Sequence, residues 1–252
     1  TWSPPSVERW KQATFDGFHR SDGSVGTANH WLVIPMVFCE NRNVHAIRTA
    51  FERSLGYEKT SHYERLAQNL VDAYRHGSDR ETLLGLSIEA TDDPNRNRVF
   101  PNVDGIQFLI HNMGCGGTRN DAASLCGLLA GYITHPNVAG ATVLSLGCEN
   151  AQLELLERAI RERSPSFEKP LLTYRQQGYP DEQTLLETAI KDTFIALTEA
   201  NRVERKPAPL TRLCIGVECG GSDGFSGISA NPTVGALSDR IVGLGGSIVL
   251  AE

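Results

Sequence analysis

No apolar run in this sequence reaches the roughly 18 residues that a membrane-spanning helix needs. There is no basic excess either: 24 Lys and Arg face 30 Asp and Glu, a formal charge of -6 over 252 residues. The first absence excludes a helical membrane span, and the second argues against nucleic acid as a partner. The six cysteines form no Cys-x-x-Cys pair, which removes zinc ribbons and thioredoxin-type motifs. They are also too sparse for a disulfide scaffold, so reduced thiols and a cytoplasmic setting are expected. No Gly-Lys-Ser or Gly-Lys-Thr is present, so a phosphate loop is excluded. The chain opens at Thr1 without a signal-peptide pattern and closes just after an apolar run, as expected of a segment of a longer polypeptide.

What is present is an ordinary globular composition, 40% hydrophobic, with 24 glycines. Residues 1–28 read as an irregular segment with a short helix near Ser6–Ala13, and residues 29–252 as one α/β catalytic-type domain. Trp31–Phe38 is a nearly continuous apolar strand, despite Pro35 within it. Further strands are expected at 105–110, 141–146, 171–174, 210–217 and 247–250. Helices are expected near 44–55, 61–76, 121–134, 151–162, 181–200 and 234–242. Strands alternating with helices predict an α/β fold with a mainly parallel sheet and flanking helices. The site is then expected at the carboxyl ends of the strands.

The polar chemistry falls at those ends. Four strands run into Cys39-Glu40-Asn41, His111-Asn112-Met113-Gly114-Cys115, Cys148-Glu149-Asn150 and Cys219-Gly220-Gly221-Ser222-Asp223. In Cys148-Glu149-Asn150 the asparagine can cap the next helix, or Cys148 and Glu149 can bind a metal or move protons. His111 and Cys115, four apart across glycines, can face one ion, or His111 can be a buried histidine satisfied by backbone. The Gly-rich loop around Ser222 and Asp223 can aim its N–H groups at a carboxylate. Arg20 and Asp22 form a solvated turn, or Arg20 forks onto a substrate carboxylate. Gln177 ends another strand where it can hydrogen-bond hydroxyls. Cys126 and Cys214 read as core.

These elements, in this order, resemble the altronate dehydratase/galactarate dehydratase family of sugar-acid hydro-lyases. The resemblance rests on Phe18-His19-Arg20-Ser21-Asp22-Gly23, His111-Asn112-Met113-Gly114-Cys115-Gly116, His135-Pro136-Asn137 and Leu146-Gly147-Cys148-Glu149-Asn150. It continues through Cys219-Gly220-Gly221-Ser222-Asp223-Gly224 and Ala230-Asn231-Pro232. The family often has Arg where Ala28 stands and a second Gly where Tyr179 stands. The resemblance implies metal-assisted dehydration of a sugar acid to a 2-keto-3-deoxy acid, with Fe2+ first and Mn2+ or Zn2+ as alternatives. It implies His111, Cys115, Cys148 and Cys219 around the metal, and Glu149, Asp223 and His111 as catalytic groups. Arg20, Asp22, Asn29, Gln177, Ser222 and Asn231 would hold the substrate. It further implies a small N-terminal domain or subunit outside this chain, and a homo-oligomer is a possible assembly. The alternatives are a sulfolactate-type sulfo-lyase large subunit, or a non-catalytic sugar-acid-binding domain stabilised by zinc.

Overall fold

In a computed structural model the chain is described at residues 5–58, 62–88, 98–218, 220–221 and 223–251. Its centre is a parallel four-stranded sheet of β3 (His30–Pro35), β4 (Gly105–Phe108), β5 (Val138–Ser145) and β6 (Leu171–Arg175), in the order β4-β3-β5-β6. Successive side chains of a strand point to opposite faces. Trp31 and Val33 accordingly pack on one face against Val44, Ile47 and Phe51 of α1 (Asn41–Ser54) and Leu185 and Ala189 of α6 (Glu182–Ala200). Leu32 and Ile34 pack on the other, against α4 (Arg119–Thr134) and α5 (Leu153–Arg163). Burial on both faces is why β3 reads as a continuous apolar run. Cys126 of α4 is buried in that second layer, and burial pushes its thiol up to about 11.

Pro35 is tolerated in a central strand for a local reason. Val33 faces β4, since its carbonyl accepts Leu109 N at 3.0 Å, whereas Met36 N donates to Leu144 O on the β5 side at 2.7 Å. Pro35 therefore faces β4, which has already ended at Phe108, so no ladder bond is lost.

Residues 14–19, expected to be irregular, form β1 (Thr14–His19). It pairs antiparallel with β2 (Val25–Gly26) and with β7 (Lys206–Pro209). Of the strand expected at 210–217, only the later part is extended: Leu210–Arg212 form a short 3-10 turn after β7, and the strand is β8 (Cys214–Glu218). Between α1 and β4 lie α2 (His62–Arg75) and α3 (Arg80–Leu84), which bury no residue. Most of the polar stretch expected at 92–98 falls outside the described residues.

β8, α7 (Ala230–Gly243) and β9 (Ser247–Ala251) form a separate parallel pair with its crossover helix. Only Ile241 is buried in α7, and Phe225, Ile228 and Leu250 are 77–80% exposed. Cys214, expected in the core, is exposed on β8. The reason is that no second layer covers this two-stranded sheet among the described residues. Among those residues no helix is long and apolar enough to cross a membrane.

Candidate active site

Because β3, β4 and β5 are parallel, their carboxyl ends share one edge, and four loops meet there. The register pairs Pro35 with Leu144, and Glu40 and Glu149 each lie five residues further on. The recurring Cys-Glu-Asn triplet thus occupies equivalent positions on neighbouring strands. Its asparagines hold the loop that follows β4: Asn41 Nδ2 donates to His111 O at 2.9 Å and Asn150 Nδ2 to Cys115 O at 3.0 Å. Asn150 N donates to Gly114 O, and Phe38 N to Met113 O, both at 2.9 Å. Gly114 makes this convergence possible. Its φ is 102°, and a Cβ there would run into Met36 O and lie 2.8 Å from Val37 Cα. The turn after β6 joins through Gln177 N, which donates to Leu146 O at 3.2 Å.

Two carboxyl groups are buried at this edge, Glu40 at 0% and Glu149 at 2% exposure. Glu149 accepts from the Ser145 hydroxyl and, at 2.7 Å, from Gly147 N. Glu40 Oε2 accepts from Asn43 Nδ2 at 2.8 Å, and the same amide donates to Gln176 Oε1 at 3.2 Å. Among the described residues, Glu40 Oε1 is buried without a partner, as is Asn41 Oδ1. Burial pushes the Glu40 carboxyl above its ordinary range, and the Glu149 and Glu182 carboxylates add to this against the Asn43 hydrogen bond. Glu40, Asn41, Asn43 and Gln176 were not singled out from the sequence as site residues. The signal that could have found them is the repeated triplet.

Cys115 and Cys148 sit exposed on two of the joined loops, and Cys39 is exposed on a third. His111 is committed to the backbone: Nε2 donates to Pro35 O at 2.7 Å, and Nδ1 accepts from Met113 N at 3.2 Å. Both ring nitrogens are thereby engaged with backbone. Among the described residues no three of Cys, His, Asp and Glu are grouped to hold an ion. Cys219 and Ser222 lie outside the described residues.

The remaining expected residues are placed elsewhere. Arg20 and Asn29 are at the amino-terminal edge of the sheet, a strand length of roughly 15–20 Å from the carboxyl edge. Arg20 Nε donates to Pro136 O at 2.7 Å, and Nη2 donates to Ala28 O and Asn29 Oδ1 at 3.2 and 3.0 Å. Asn29 is fully buried, and its amide donates to Asn102 O and Ala200 O at 2.8 and 3.1 Å. These bonds tie β1, β3 and β5 together. Burial lowers Arg20 to about 10, and lowers Lys169 beside it to about 8. Exposed Asp22 closes its own turn by accepting from Ser24 N at 2.9 Å and Ser24 Oγ at 2.6 Å.

Asp223 and Asn231 line a groove of about 1170 Å3 at the ends of β8 and β9. Asp223 accepts from Ser226 Oγ at 2.8 Å and from the Phe225 and Ser226 N–H groups at 2.7 and 3.0 Å, and these bonds hold it below the usual carboxylate range. Glu218, Asp223 and Asp239 line this groove, and among the described residues that line it there is no Lys, Arg or His.

Residues 17–201 match the family description "D-galactarate dehydratase/Altronate hydrolase, second domain", and residues 210–252 match "D-galactarate/Altronate dehydratase, C-terminal". Similar relatives include altronate dehydratase of Bacillus subtilis, 30% identical over 95% of this chain, and altronate dehydratase of Escherichia coli, 26% identical over 93%. Galactarate dehydratase (L-threo-forming) of Escherichia coli is 27% identical over 95%. The chain spans only 38–39% of the length of these relatives. The order of its motifs, its parallel sheet and a family match over most of its residues agree: this chain belongs to the D-galactarate dehydratase/altronate hydrolase family.

Proposed function

We propose that this chain carries part of the site at which a sugar acid of the altronate or galactarate type is dehydrated to a 2-keto-3-deoxy acid. In that reaction the proton beside the carboxylate is removed, the hydroxyl on the next carbon departs as water, and the resulting enol becomes the ketone. The observation that supports this reading most is the convergence of the two Cys-Glu-Asn triplets and the His111–Cys115 loop on one sheet edge. The names of the relatives point to the substrate class.

A proton beside a carboxylate is weakly acidic, so the chemistry needs a base and preorganised positive charge or donors. A divalent cation, when bound, supplies positive charge that lowers the cost of the developing enediolate. The thiolate–imidazole set expected from the sequence fits this need poorly here, because His111 has no free nitrogen. The Glu40 carboxyl fits better, being buried beside the Glu149 charge with Oε1 unpartnered among the described residues, whereas both Glu149 oxygens already accept hydrogen bonds. Fe2+ remains the first candidate, with Mn2+ or Zn2+ as alternatives. Cys115 and Cys148 stand at the mouth of the edge, where they can line the path of substrate or cation.

Glu149 is the carboxylate we assign to proton movement or cation binding, while Asp223 lines the separate groove. Gln177, exposed on the turn after β6, is assigned to a substrate hydroxyl. Arg20 and Asn29 act as struts that set the strand register, and Asn231 serves the separate groove. A cytoplasmic setting accords with free thiols. The test is anaerobic incubation of the polypeptide carrying this chain with Fe2+, Mn2+ or Zn2+ and a panel of five- and six-carbon sugar acids. Formation of a 2-keto-3-deoxy acid supports the reading. No product from any acid, with folded and metal-loaded protein, overturns it.

A further inference from the structure

The proposed substrate is an anion, and Arg20, the arginine expected to receive its carboxylate, sits at the opposite edge with Nε and Nη2 engaged by carbonyl and amide oxygens. The carboxyl edge has an arginine of its own. Arg175 is the last residue of β6 and pairs in register with Ser145, the last of β5. Tyr174 before it is buried in the layer of α1 and α6, so Arg175 is turned to the other face, where α5 lies. Its Nη2 donates there to Glu154 Oε1 at 2.7 Å. Arg175 also lies against the loop that carries Glu149. A Cβ added at Gly147 would stand 3.2 Å from Arg175 Cγ and 2.6 Å from Gln177 Oε1. Gly147 N in turn donates to Glu149 Oε2 at 2.7 Å, so Arg175, Gln177 and Glu149 surround one short loop.

The guanidinium is half used on one of the edges that bind carboxylates. Its Nε–H and Nη2–H bonds run parallel and match the two oxygens of a single carboxylate. Glu154 takes Nη2, and Nε is buried without a partner among the described residues. A buried donor left bare is costly, and a second acceptor oxygen removes that cost. The contact an incoming anion would displace is weak. The Arg175 and Glu154 side chains are 41% and 66% exposed, and pairs of this kind contribute about 0–1 kcal/mol. The neighbouring carboxyls are held by other donors: Glu149 by Ser145 and Gly147, and Glu40 by Asn43. Arg42 of α1 is engaged with Glu182.

We infer that Arg175 holds the substrate's carboxylate in a two-point fork through Nε and Nη2, with Glu154 keeping the guanidinium in place until the anion displaces it. The ligand class is a hydroxy acid, its carboxylate on Arg175 and a hydroxyl on Gln177, the other side chain over Gly147. The inference rests on the dehydratase reading for the identity of the acid, while binding itself is measured without turnover.

The experiment is a calorimetric titration of the polypeptide carrying this chain with galactarate, and with galactitol, which has the same carbon skeleton and no carboxylate. Arg175→Gln is expected to weaken galactarate binding roughly tenfold or more, through loss of charge-assisted hydrogen bonds. Arg175→Lys should not restore it, because an ammonium lacks the two parallel donors. Glu154→Gln should bind galactarate at least as tightly as the parent, and up to about fivefold tighter. Arg158→Gln, which removes an exposed charge one turn further along α5, should leave binding unchanged, and galactitol should not distinguish Arg175→Gln from the parent. Circular dichroism checks folding, and if Arg175→Gln unfolds, Arg175→Lys reads the same fork. No galactarate binding by the folded parent overturns the inference. So does undiminished binding in the Arg175 variants, an equal loss with Arg158→Gln, or weaker binding in Glu154→Gln. Galactarate held through Arg175 without dehydration overturns the functional reading and leaves this one standing. Dehydration with an unchanged KM in Arg175→Gln does the reverse.

Discussion

Replacing Gly114 with alanine puts a methyl group into the seam between the loops that follow β3 and β4. The new Cβ would collide with Met36 O and lie 2.8 Å from Val37 Cα. Carbon atoms pack comfortably at about 3.5–4.0 Å, so the loops must part by roughly an ångström. Two costs add. A non-glycine residue at a φ of 102° is strained by about 1–3 kcal/mol. Parting the loops also weakens the Phe38–Met113, Asn150–Gly114 and Asn150–Cys115 hydrogen bonds, each worth about 1 kcal/mol net. We therefore expect Gly114→Ala to lose roughly 2–4 kcal/mol in urea denaturation, with a drop in Tm of roughly 2–4 °C per kcal/mol. Gly116, two residues on, has nothing within 4 Å of an added Cβ, so Gly116→Ala should stay within about 0.5 kcal/mol of the parent. Because a shift of about 1 Å can cost a hundredfold in rate, Gly114→Ala should also remove the activity or cation binding assigned to this edge. Equal stability of the two variants would refute the claim that close loop contact builds the site.

Other outcomes follow from the same geometry. Arg20→Lys should cost roughly 1–3 kcal/mol in chemical denaturation, because it breaks bonds from one guanidinium to three acceptors, and should leave Mn2+ binding untouched. Lys169 is lowered from 10.5 to about 8 by burial and by Arg20, so the unfolded chain binds more protons than the folded one between those values. Stability relative to Lys169→Met should therefore rise as pH is raised from about 8 to 10.5, and a flat difference in denaturation midpoints would contradict this. The sign is opposite for Glu40, whose carboxyl is raised by burial and its acidic neighbours. Without divalent cations, its share of stability should fall as pH rises above the ordinary carboxylate range, and Glu40→Gln should abolish that slope. Finally, Phe225→Ser with Leu250→Ser should reduce binding of the dye ANS, since both side chains are about 80% exposed, without lowering the melting temperature of the central sheet.

Much of the architecture was legible because its cause is local. Continuous apolar runs such as 31–34 and amphipathic stripes such as 44–51 report burial on two faces and on one face. β1 was not legible: Thr14–His19 has an exposed partner side, and its pairing with Lys206–Pro209 joins segments about three quarters of the chain apart. At the site, the sequence marks the strand ends well but not which groups they present. Cysteine and histidine drew attention as metal ligands, yet both ring nitrogens of His111 are hydrogen-bonded to backbone. Glu40 looked like an ordinary acidic residue because its burial is set by a 3-10 turn and α1, not by its neighbours in sequence. Arg20 resembled a carboxylate clamp, but the carbonyls it binds, from Ala28 and Pro136, are brought to it only by the fold.

The central claim is that the loops at the carboxyl ends of β3, β4 and β5 are where this chain handles its ligands. A crystal structure of the chain grown with Mn2+ and a six-carbon sugar acid tests it most directly. The expected result is the acid over the loops at 111–115 and 146–150, with the ion against Glu40. A sugar acid seated instead against Arg20 at the opposite edge, or in the groove of Asp223 and Asn231 with the carboxyl edge bare, would contradict it.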